Sequence, residues 1–372
     1  MRSNGVLAGL LAVALSSAGC INARLTRAIV EAPNGRHTPR ILTPARSKEL
    51  LKDDATYSEA WMVPVGPPAA QLSVAVVEPG DYKSSVVIRT GKFKNGREPV
   101  WPETHWTIPA RPPGAAVPPR ATVLLLHGYE DSKEDMMHWA LFLAEHRYRA
   151  VLVDLRGHGR STGSWIGYGA FEAHDLQQVI DDLDRRHLIA GRLGVLGISY
   201  GASVGLQLAG RDRRVGAVVA MEPFSDSREA VVEFARAVVP KLVSSWTERD
   251  FSTAEDRAAR LGGFAWSSAD PAGSAASAQA PILYVCADND HWISPGNTRR
   301  LADRTRSLHS VVTVHFDKTG LEDHILLSWV LNPMAPAVLS WLNECLSDPA
   351  PALPGRLAAL GFIPSARPAS TP

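Results

Sequence analysis

The sequence has almost no net charge. Its 372 residues contain 39 lysines and arginines and 38 aspartates and glutamates, which gives a net charge of +1. A chain this evenly balanced offers no electrostatic basis for binding nucleic acid or an anionic surface, so we expect no nucleic-acid partner. The sequence also lacks a phosphate-binding P-loop and paired metal-ligand motifs, and it therefore implies neither an organic cofactor nor a metal ion.

Cysteine is scarce too, with 3 residues in the whole chain. Cys286 falls in a predicted strand and Cys345 in a predicted helix. Cysteines in such places favour buried, small apolar side chains over a disulfide framework. They therefore say nothing about the compartment in which the protein works.

The beginning of the chain is typical of an export signal. Met1 and Arg2 precede an apolar run from Val6 to Leu15. This run is too short to span a bilayer as a mature helix. We therefore predict a signal peptide over residues 1–19 that is absent from the working protein.

The small residues directly before Cys20 resemble the bacterial lipobox. The resemblance implies that Cys20 is lipidated, becomes the new N-terminus and anchors the protein to a membrane of the bacterial cell envelope. Ser17 stands where leucine is usual in that motif. Cleavage after Ala18, which would give a periplasmic or secreted protein, is the alternative.

Two segments without a sustained apolar pattern flank the predicted domain. Residues 20–57 are polar and contain several prolines, which predicts a tether or an irregular N-terminal wrap. Residues 349–372 are rich in proline and alanine and predict a disordered tail. Between them, residues 58–348 form the predicted folded domain.

The middle of the chain alternates short apolar runs with longer amphipathic segments. Such alternation is typical of a parallel sheet with crossover helices. Strands are predicted at 71–77, 85–88, 104–108, 122–126, 150–154, 215–220, 281–286 and 311–316, and in the apolar run that ends at Ile198. The alternation stops between about 224 and 278, where helical stretches without a clear strand predict a lid over the strand ends.

Aromatic residues are present in this predicted lid, namely Trp246, Phe251, Phe264 and Trp266. They fit an apolar pocket for an acyl group. They fit packing in the core at least as well, and the sequence leaves both interpretations open.

A glycine-serine-glycine pattern follows one of the apolar runs. Gly197, Ser199 and Gly201 form the sequence G-x-S-x-G before a segment able to be helical. A turn from strand to helix this tight requires glycine on both sides of the serine, because a Cβ there would collide with neighbouring backbone. The pattern predicts a nucleophile elbow that lifts the Ser199 hydroxyl above the edge of the sheet.

Several further marks, in a fixed order, resemble the α/β-hydrolase superfamily from about Leu72 to Leu346. They are His127-Gly128 after one strand, Asp154-x-Arg156-Gly157-x-Gly159-x-Ser161 after the next, the elbow, Ala287-Asp288-Asn289-Asp290 after a later strand, and Gly320-x-x-x-His324 near the end. The resemblance implies an α/β fold whose mostly parallel central sheet is flanked by helices and carries a small helical lid. It also implies a serine hydrolase that uses no cofactor.

A serine hydroxyl is a poor nucleophile near neutral pH, so it needs a histidine base that a buried carboxylate holds in place. Among the 12 histidines, His324 is the predicted base because it follows the last strand, on a loop before a helix. His315 lies in that strand and is expected to be a sheet residue. His127 and His158 are expected to organise loops, and His291 follows the predicted acid directly and is poorly placed to pair with it.

The carboxylate is predicted at Asp290. In the family pattern this aspartate stands three residues after a glycine, a position that Ala287 fills here, and just before a short turn. Asp288 is the near alternative, which we expect to be a capping or turn residue. Glu222, after the preceding strand, is the distant alternative, because some relatives resemble that placement.

The resemblance also assigns the two backbone N–H groups that would hold the oxyanion of a tetrahedral intermediate. One belongs to Tyr200, directly after the nucleophile. The other belongs to Tyr129, after His127-Gly128. A plain loop aromatic is the alternative for Tyr129.

These features together predict a hydrolase that cleaves carboxylic esters of small molecules through an acyl-enzyme on Ser199. Amide or peptide hydrolysis is the alternative within the same chemistry, because Gly-x-Ser-Tyr-Gly is similar to the elbow of the prolyl-peptidase branch. A non-catalytic binding protein on a hydrolase fold is the alternative of another class. Every catalytic position is filled, which favours an enzyme.

Overall fold

The computed structural model describes residues 26–35, 57–90, 100–107, 117–316, 322–331 and 333–347. The predicted signal peptide, Cys20 and the predicted tail at 349–372 lie outside these residues, as does most of the predicted tether. The described part of that segment packs on the domain. Val30 and Ala32 are buried, and Glu31 forms an antiparallel bridge with Trp165.

A central sheet of eight strands carries the fold, in the order β1-β2-β6-β5-β7-β8-β9-β10. The strands are β1 (Glu59–Val65), β2 (Ala70–Val77), β5 (Ala121–Leu126), β6 (Tyr148–Val153), β7 (Leu193–Ile198), β8 (Val215–Met221), β9 (Ile282–Ala287) and β10 (His309–Val314). Strand β2 runs antiparallel to both of its neighbours, and all other pairs are parallel. Strands β3 (Lys83–Thr90) and β4 (Val100–Thr107) form a separate antiparallel pair. The predicted mostly parallel sheet is confirmed.

In the described part of the chain, residues 26–30 are helical, and ten further helices accompany the sheet. They are α1 (Met137–Glu145), α2 (Glu172–Arg185), α3 (Tyr200–Arg211), α4 (Ser227–Val238), α5 (Pro240–Val243), α6 (Glu248–Gly262), α7 (Pro271–Ser277), α8 (Gly296–Arg304), α9 (Asp323–Trp329) and α10 (Ala335–Leu346). Short 3-10 turns lie at Pro33–Gly35, Lys133–Met136 and Trp266–Ser268.

Both faces of the sheet are covered, which explains why its central strands are apolar without alternation. In β5, Leu124 and Leu126 belong to one hydrophobic cluster, whereas Val123 and Leu125 belong to a second cluster on the opposite face. All six residues of β5 are buried. The central strands are therefore packed on both faces, and a site can form at their carboxyl ends.

Strand β1 was not predicted. It lies at the edge of the sheet and pairs only with β2. Its sequence contains Pro64, which an edge strand tolerates because one side of it carries no partner strand. Because of the proline and the alternation of exposed and buried residues, this strand lacks the continuous apolar run that predicted the other strands.

The insertion at 224–278 is helical, as predicted, and consists of α4 to α7. Its aromatic residues pair among themselves: the ring centroids of Trp246 and Phe251 lie 5.0 Å apart, and those of Phe264 and Trp266 lie 5.1 Å apart. The Trp266 ring also packs on Tyr168, with centroids 5.3 Å apart. These contacts agree with the packing interpretation of the four aromatics.

The two cysteines outside the N-terminal segment are buried free thiols. Cys286 lies in β9 and Cys345 in α10, so the prediction that both behave as buried small side chains is confirmed. Across the described ranges, no helix combines the length and the apolar character needed to cross a membrane.

Candidate active site

Ser199 lies at the turn between β7 and α3 and has an unusual backbone conformation. Its φ is 51° and its ψ is −112°, a combination that costs energy for a residue with a Cβ. A Cβ added to Gly197 would lie 2.4 Å from the carbonyl oxygen of Gly201, so only glycine fits there. The N–H of Ser199 donates to the carbonyl of Met221 at 2.7 Å, which ties the turn to the end of β8.

A buried histidine and a buried aspartate contact each other after the later strands. The Nδ1 atom of His324 lies 2.7 Å from Oδ2 of Asp290. The other oxygen of Asp290 accepts the N–H groups of Trp292 and Ile293, at 2.7 and 2.9 Å. Because a carboxylate only accepts, the hydrogen of the imidazole sits on Nδ1, which leaves Nε2 with the lone pair that a general base needs.

The strand order explains how residues far apart in the sequence meet. Strands β7, β8 and β9 are neighbours in the sheet. Ser199, Glu222 and Asp290 follow their carboxyl ends, while His324 comes from α9, which contacts β9. His324 lies in the first turn of α9 rather than on the loop before it, because the helix begins at Asp323.

Aromatic rings form a continuous series of contacts across the site. Centroid distances are 6.2 Å between Tyr200 and Tyr129, 5.8 Å between Tyr129 and Phe234, 5.9 Å between Phe234 and Trp292, and 5.3 Å between Trp292 and His324. Helix α4 of the insertion supplies Phe234 and thereby reaches the site.

The sequence did not single out Phe234 and Trp292. Trp292 stands two residues after Asp290, and that closeness was the available signal. Phe234 shares an apolar face of α4 with Val231 and Val238 at helical spacing, a pattern that core packing produces equally well.

The two tyrosines proposed to hold an oxyanion lie close to Ser199 in the backbone. Tyr200 is the first residue of α3, where backbone N–H groups have no partner within the helix. Tyr129 follows Gly128, and a Cβ placed on Gly128 would lie 3.9 Å from Cβ of Ser199. The Tyr200 side chain points away into the core, where its hydroxyl donates to Glu172 at 2.9 Å.

A buried charge network supports the loop after β5. The Nζ atom of Lys133 contacts Asp154 at 2.9 Å and Glu134 at 2.7 Å. The backbone N–H of Lys133 donates to Asp154 at 2.7 Å, and Nε2 of His127 accepts the N–H of Leu155 at 3.0 Å. These bonds join the loop that contains Tyr129 to the loop after β6. Lysine is usually exposed, so the sequence offered no sign of this role.

Comparison with known proteins agrees with this architecture. Residues 121–271 match the family model described as alpha/beta hydrolase fold. The Pyrococcus furiosus esterase Pf2001 superposes with a TM-score of 0.53 at 17% identity, over 84% of this chain and 100% of that one. The chain has the α/β-hydrolase fold.

Two curated relatives are similar over shorter stretches. The uncharacterized protein YqkD of Bacillus subtilis is 26% identical over 188 residues, which are 50% of this chain and 60% of that protein. The bifunctional esterase/perhydrolase DCH of Acinetobacter calcoaceticus is 32% identical over 124 residues, which are 33% of this chain and 39% of that enzyme. The matches thus span less than two thirds of either relative.

Three of the residues considered as alternatives, His315, Asp288 and His291, have exposed side chains. His315 follows the end of β10, is exposed, and pairs with Asp288 at 2.9 Å. The prediction that His315 lies within the last strand is wrong, because β10 ends at Val314. His291 is exposed, and its backbone N–H donates to Glu322 at 2.7 Å.

Glu222 lies at the site together with Asp290. Its Oε2 is 3.2 Å from Nδ1 of His324. In the part of the hydrolase fold that the structure describes, Glu222, Asp290 and His324 are the one group of acidic, cysteine or histidine side chains close enough to share a metal ion. Both predicted and alternative acids therefore reach the same ring nitrogen, but only Asp290 receives backbone N–H donors.

Proposed function

We propose that this chain is a serine hydrolase that cleaves carboxylic esters through an acyl-enzyme on Ser199. The observation that carries the proposal is the buried His324–Asp290 pair, 2.7 Å apart, at the same sheet edge as a strained serine elbow. A histidine oriented in this way has the tautomer that a serine nucleophile requires.

In the first half of the reaction, the Ser199 Oγ attacks the carbonyl carbon of the ester and its proton passes to Nε2 of His324. The new imidazolium is stabilised by the carboxylate of Asp290. The tetrahedral intermediate then collapses. The bond to the alcohol breaks, and His324 returns the proton to the leaving oxygen.

In the second half, water takes the place of the alcohol. His324 removes a proton from water as the water oxygen attacks the acyl-enzyme. The bond to the Ser199 oxygen then breaks, His324 gives that oxygen the proton, and a carboxylic acid is released. The oxyanion of both intermediates is held by the N–H groups of Tyr129 and Tyr200. Groups that are fixed before the reaction need no reorganisation, and one such donor is worth about 3–4 kcal/mol.

The ester assignment is supported by the names of the similar proteins, of which Pf2001 and DCH are described as esterases. Aromatic rings of Tyr129, Phe234 and Trp292 beside the site suit the apolar part of an ester. Amide hydrolysis uses the same groups, so substrate tests must separate the two.

The test begins with intact mass after reaction with a fluorophosphonate probe. One adduct is expected on the wild type and none on Ser199→Ala. A panel of nitrophenyl esters of rising chain length and the matching anilides then gives kcat/KM for each bond. No adduct and no turnover of either series would reject the serine-hydrolase proposal, and preference for anilides would reject the ester assignment.

We also propose that the working protein is exported and begins at a lipidated Cys20. The support is the apolar run Val6 to Leu15 followed by small residues and cysteine. Several acyl chains on one N-terminus would bind a membrane firmly, whereas a single chain binds weakly.

A further inference from the structure

Glu222 is a third ionisable group at the His324–Asp290 pair, and the proposed reaction gives it no task. Its side chain is 1% exposed, and its Oε2 lies 3.2 Å from Nδ1 of His324. One carboxyl oxygen of Glu222, one of Asp290 and a ring nitrogen of His324 all lie within 4.8 Å of one another. Glu222 thus approaches the base from the neighbouring strand end.

The backbone at Glu222 is held in a conformation that non-glycine residues rarely adopt. Its φ is 52°, and Pro223 follows, which further restricts the residue before it. The N–H of Glu222 donates to the carbonyl of Val285 at 2.7 Å. Such strain persists only where the surrounding structure holds it, and this hydrogen bond ties the backbone of Glu222 to the neighbouring strand.

The two carboxyls differ in the hydrogen bonds that they accept. Asp290 accepts hydrogens from His324 and from the backbone of Trp292 and Ile293. Neither oxygen of Glu222 accepts a hydrogen bond from any residue that the structure describes. A buried carboxylate without donors is costly, whereas a protonated carboxyl can donate its own hydrogen.

The charges around Glu222 favour the same assignment. The groups that face it are Asp290 and the Cys286 thiol from β9 and the turn after it, and Glu322 and His324 at the start of α9. Burial, and then the charge of Asp290, raise the pKa of Glu222 well above its usual range. Two carboxyls this close do not both ionise easily.

We propose, on the basis of the serine-hydrolase function above, that Glu222 is a positioning residue: its protonated carboxyl shares a hydrogen with Asp290 and restrains the ring of His324. One consequence concerns Asp290→Asn. This variant removes the charge that opposes ionisation of Glu222, whose carboxylate can then accept the Nδ1–H of His324. In that variant, Glu222 would replace Asp290 at higher pH as the carboxylate that pairs with His324. We call this role the reserve acid.

The first experiment compares Glu222→Gln with Glu222→Leu. Glutamine keeps a donor and an acceptor in the same shape, and leucine keeps neither. After titration of active sites with the fluorophosphonate probe, kcat of Glu222→Leu should fall about ten- to a hundredfold at little changed KM. Glu222→Gln should recover at least about tenfold of that loss. Equal kcat per labelled site in Glu222→Leu and the wild type would overturn the proposal.

The second experiment measures how kcat/KM depends on pH. A purely structural role of Glu222 would leave this dependence unchanged. The kcat/KM of Asp290→Asn should rise about tenfold as pH increases and Glu222 ionises. The double variant Asp290→Asn/Glu222→Gln should lack the part of that rise that depends on Glu222, because glutamine does not titrate. The same pH profile for both variants would exclude Glu222 as the reserve acid.

A third measurement does not depend on activity. The infrared difference spectrum between wild type and Glu222→Gln near neutral pH should contain the carbonyl band of a protonated carboxylic acid, and a carboxylate band in its place would refute the assigned proton. If the wild type lacked turnover that depends on Ser199, the proposed function would fail, while this spectrum would still decide the protonation of Glu222.

Discussion

The α-carbon of Gly201 packs directly against the carbonyl oxygen of Leu126, at the end of the neighbouring strand β5. A Cβ added to Gly201 would lie 2.3 Å from that oxygen, and backbone there cannot yield without moving the sheet. We therefore expect Gly201→Ala to abolish correct folding of the elbow and activity, at a cost of several kcal/mol, since overpacking alone typically costs about 1–3 kcal/mol.

Gly296→Ala is the matched control. A Cβ at that position would meet only the Ser294 hydroxyl at 3.3 Å and the end of Arg299 at 3.8 Å, so stability and activity should change little. Urea denaturation and ester turnover of both variants measure the contrast. A Gly201→Ala protein with the stability and turnover of the control would contradict the described packing.

The proposed triad should behave as one unit. Ser199→Ala and His324→Ala are each expected to lower kcat by about 10⁴–10⁶, and the double variant by hardly more, because a base without a nucleophile has nothing to activate. Asp290→Asn should cost less, on the order of 10³–10⁴ near neutral pH. Steady-state kinetics at matched melting temperature measures each loss.

The chain carries its own control for this prediction. His315 and Asp288 form a similar histidine–carboxylate contact at 2.9 Å, but an exposed one. His315→Ala and Asp288→Asn should keep kcat within about threefold of the wild type, as exposed pairs contribute little. Inactivation by Asp288→Asn together with a mild effect of Asp290→Asn would show that the acid had been assigned two residues too late.

Lys133 should be important for stability although it is a lysine. Lys133→Met leaves the carboxylates of Asp154 and Glu134 buried without their cation, a change that typically costs about 3–5 kcal/mol. Arg185→Ala removes an exposed partner of Asp182 and should cost less than about 1 kcal/mol. Denaturant unfolding compares the two free energies of unfolding, and equal values would argue against the buried network.

Phe234 is expected to limit the length of the acyl chain or of the alcohol. Phe234→Ala should raise kcat/KM for long nitrophenyl esters relative to short ones by about tenfold or more, because it opens space between Tyr129 and Trp292. Phe264→Ala removes an aromatic of the same insertion that packs on Phe171 and Trp266. That control should change stability without changing the chain-length preference, and identical profiles would rule out Phe234 as a specificity residue.

The N-terminal proposal can be tested independently of activity. Wild-type protein made in a bacterial host should partition with membranes and begin at a modified Cys20, while Cys20→Ala should be released, because it lacks the acyl chains that bind the bilayer. Fractionation and N-terminal mass spectrometry measure both. Soluble wild-type protein that begins at Gly19 would support simple signal cleavage instead.

Local sequence was sufficient for the elbow and for most of the sheet. The requirement for glycine at 197 and 201 follows from contacts within one turn and with the strand beside it, so a short pattern carries it. Buried parallel strands appear as apolar runs because both faces are covered. The edge strand β1 has one free side and contains Pro64, so it has no such run and was missed.

Tertiary structure alone decided which donors each acid contacts and which aromatics approach the predicted site. Asp290 and Glu222 both follow neighbouring strands, and their residue types do not rank them. Only the folded chain shows that Asp290 receives two backbone N–H groups while Glu222 receives none. In the same way, Phe234 reaches the site while Trp246 and Phe251 pack on each other, because the direction of a helix face is set by distant contacts. Hydrogen bonds and packing contacts join residues that are far apart in the sequence. A pattern along the chain does not show which of these residues lie close together in space.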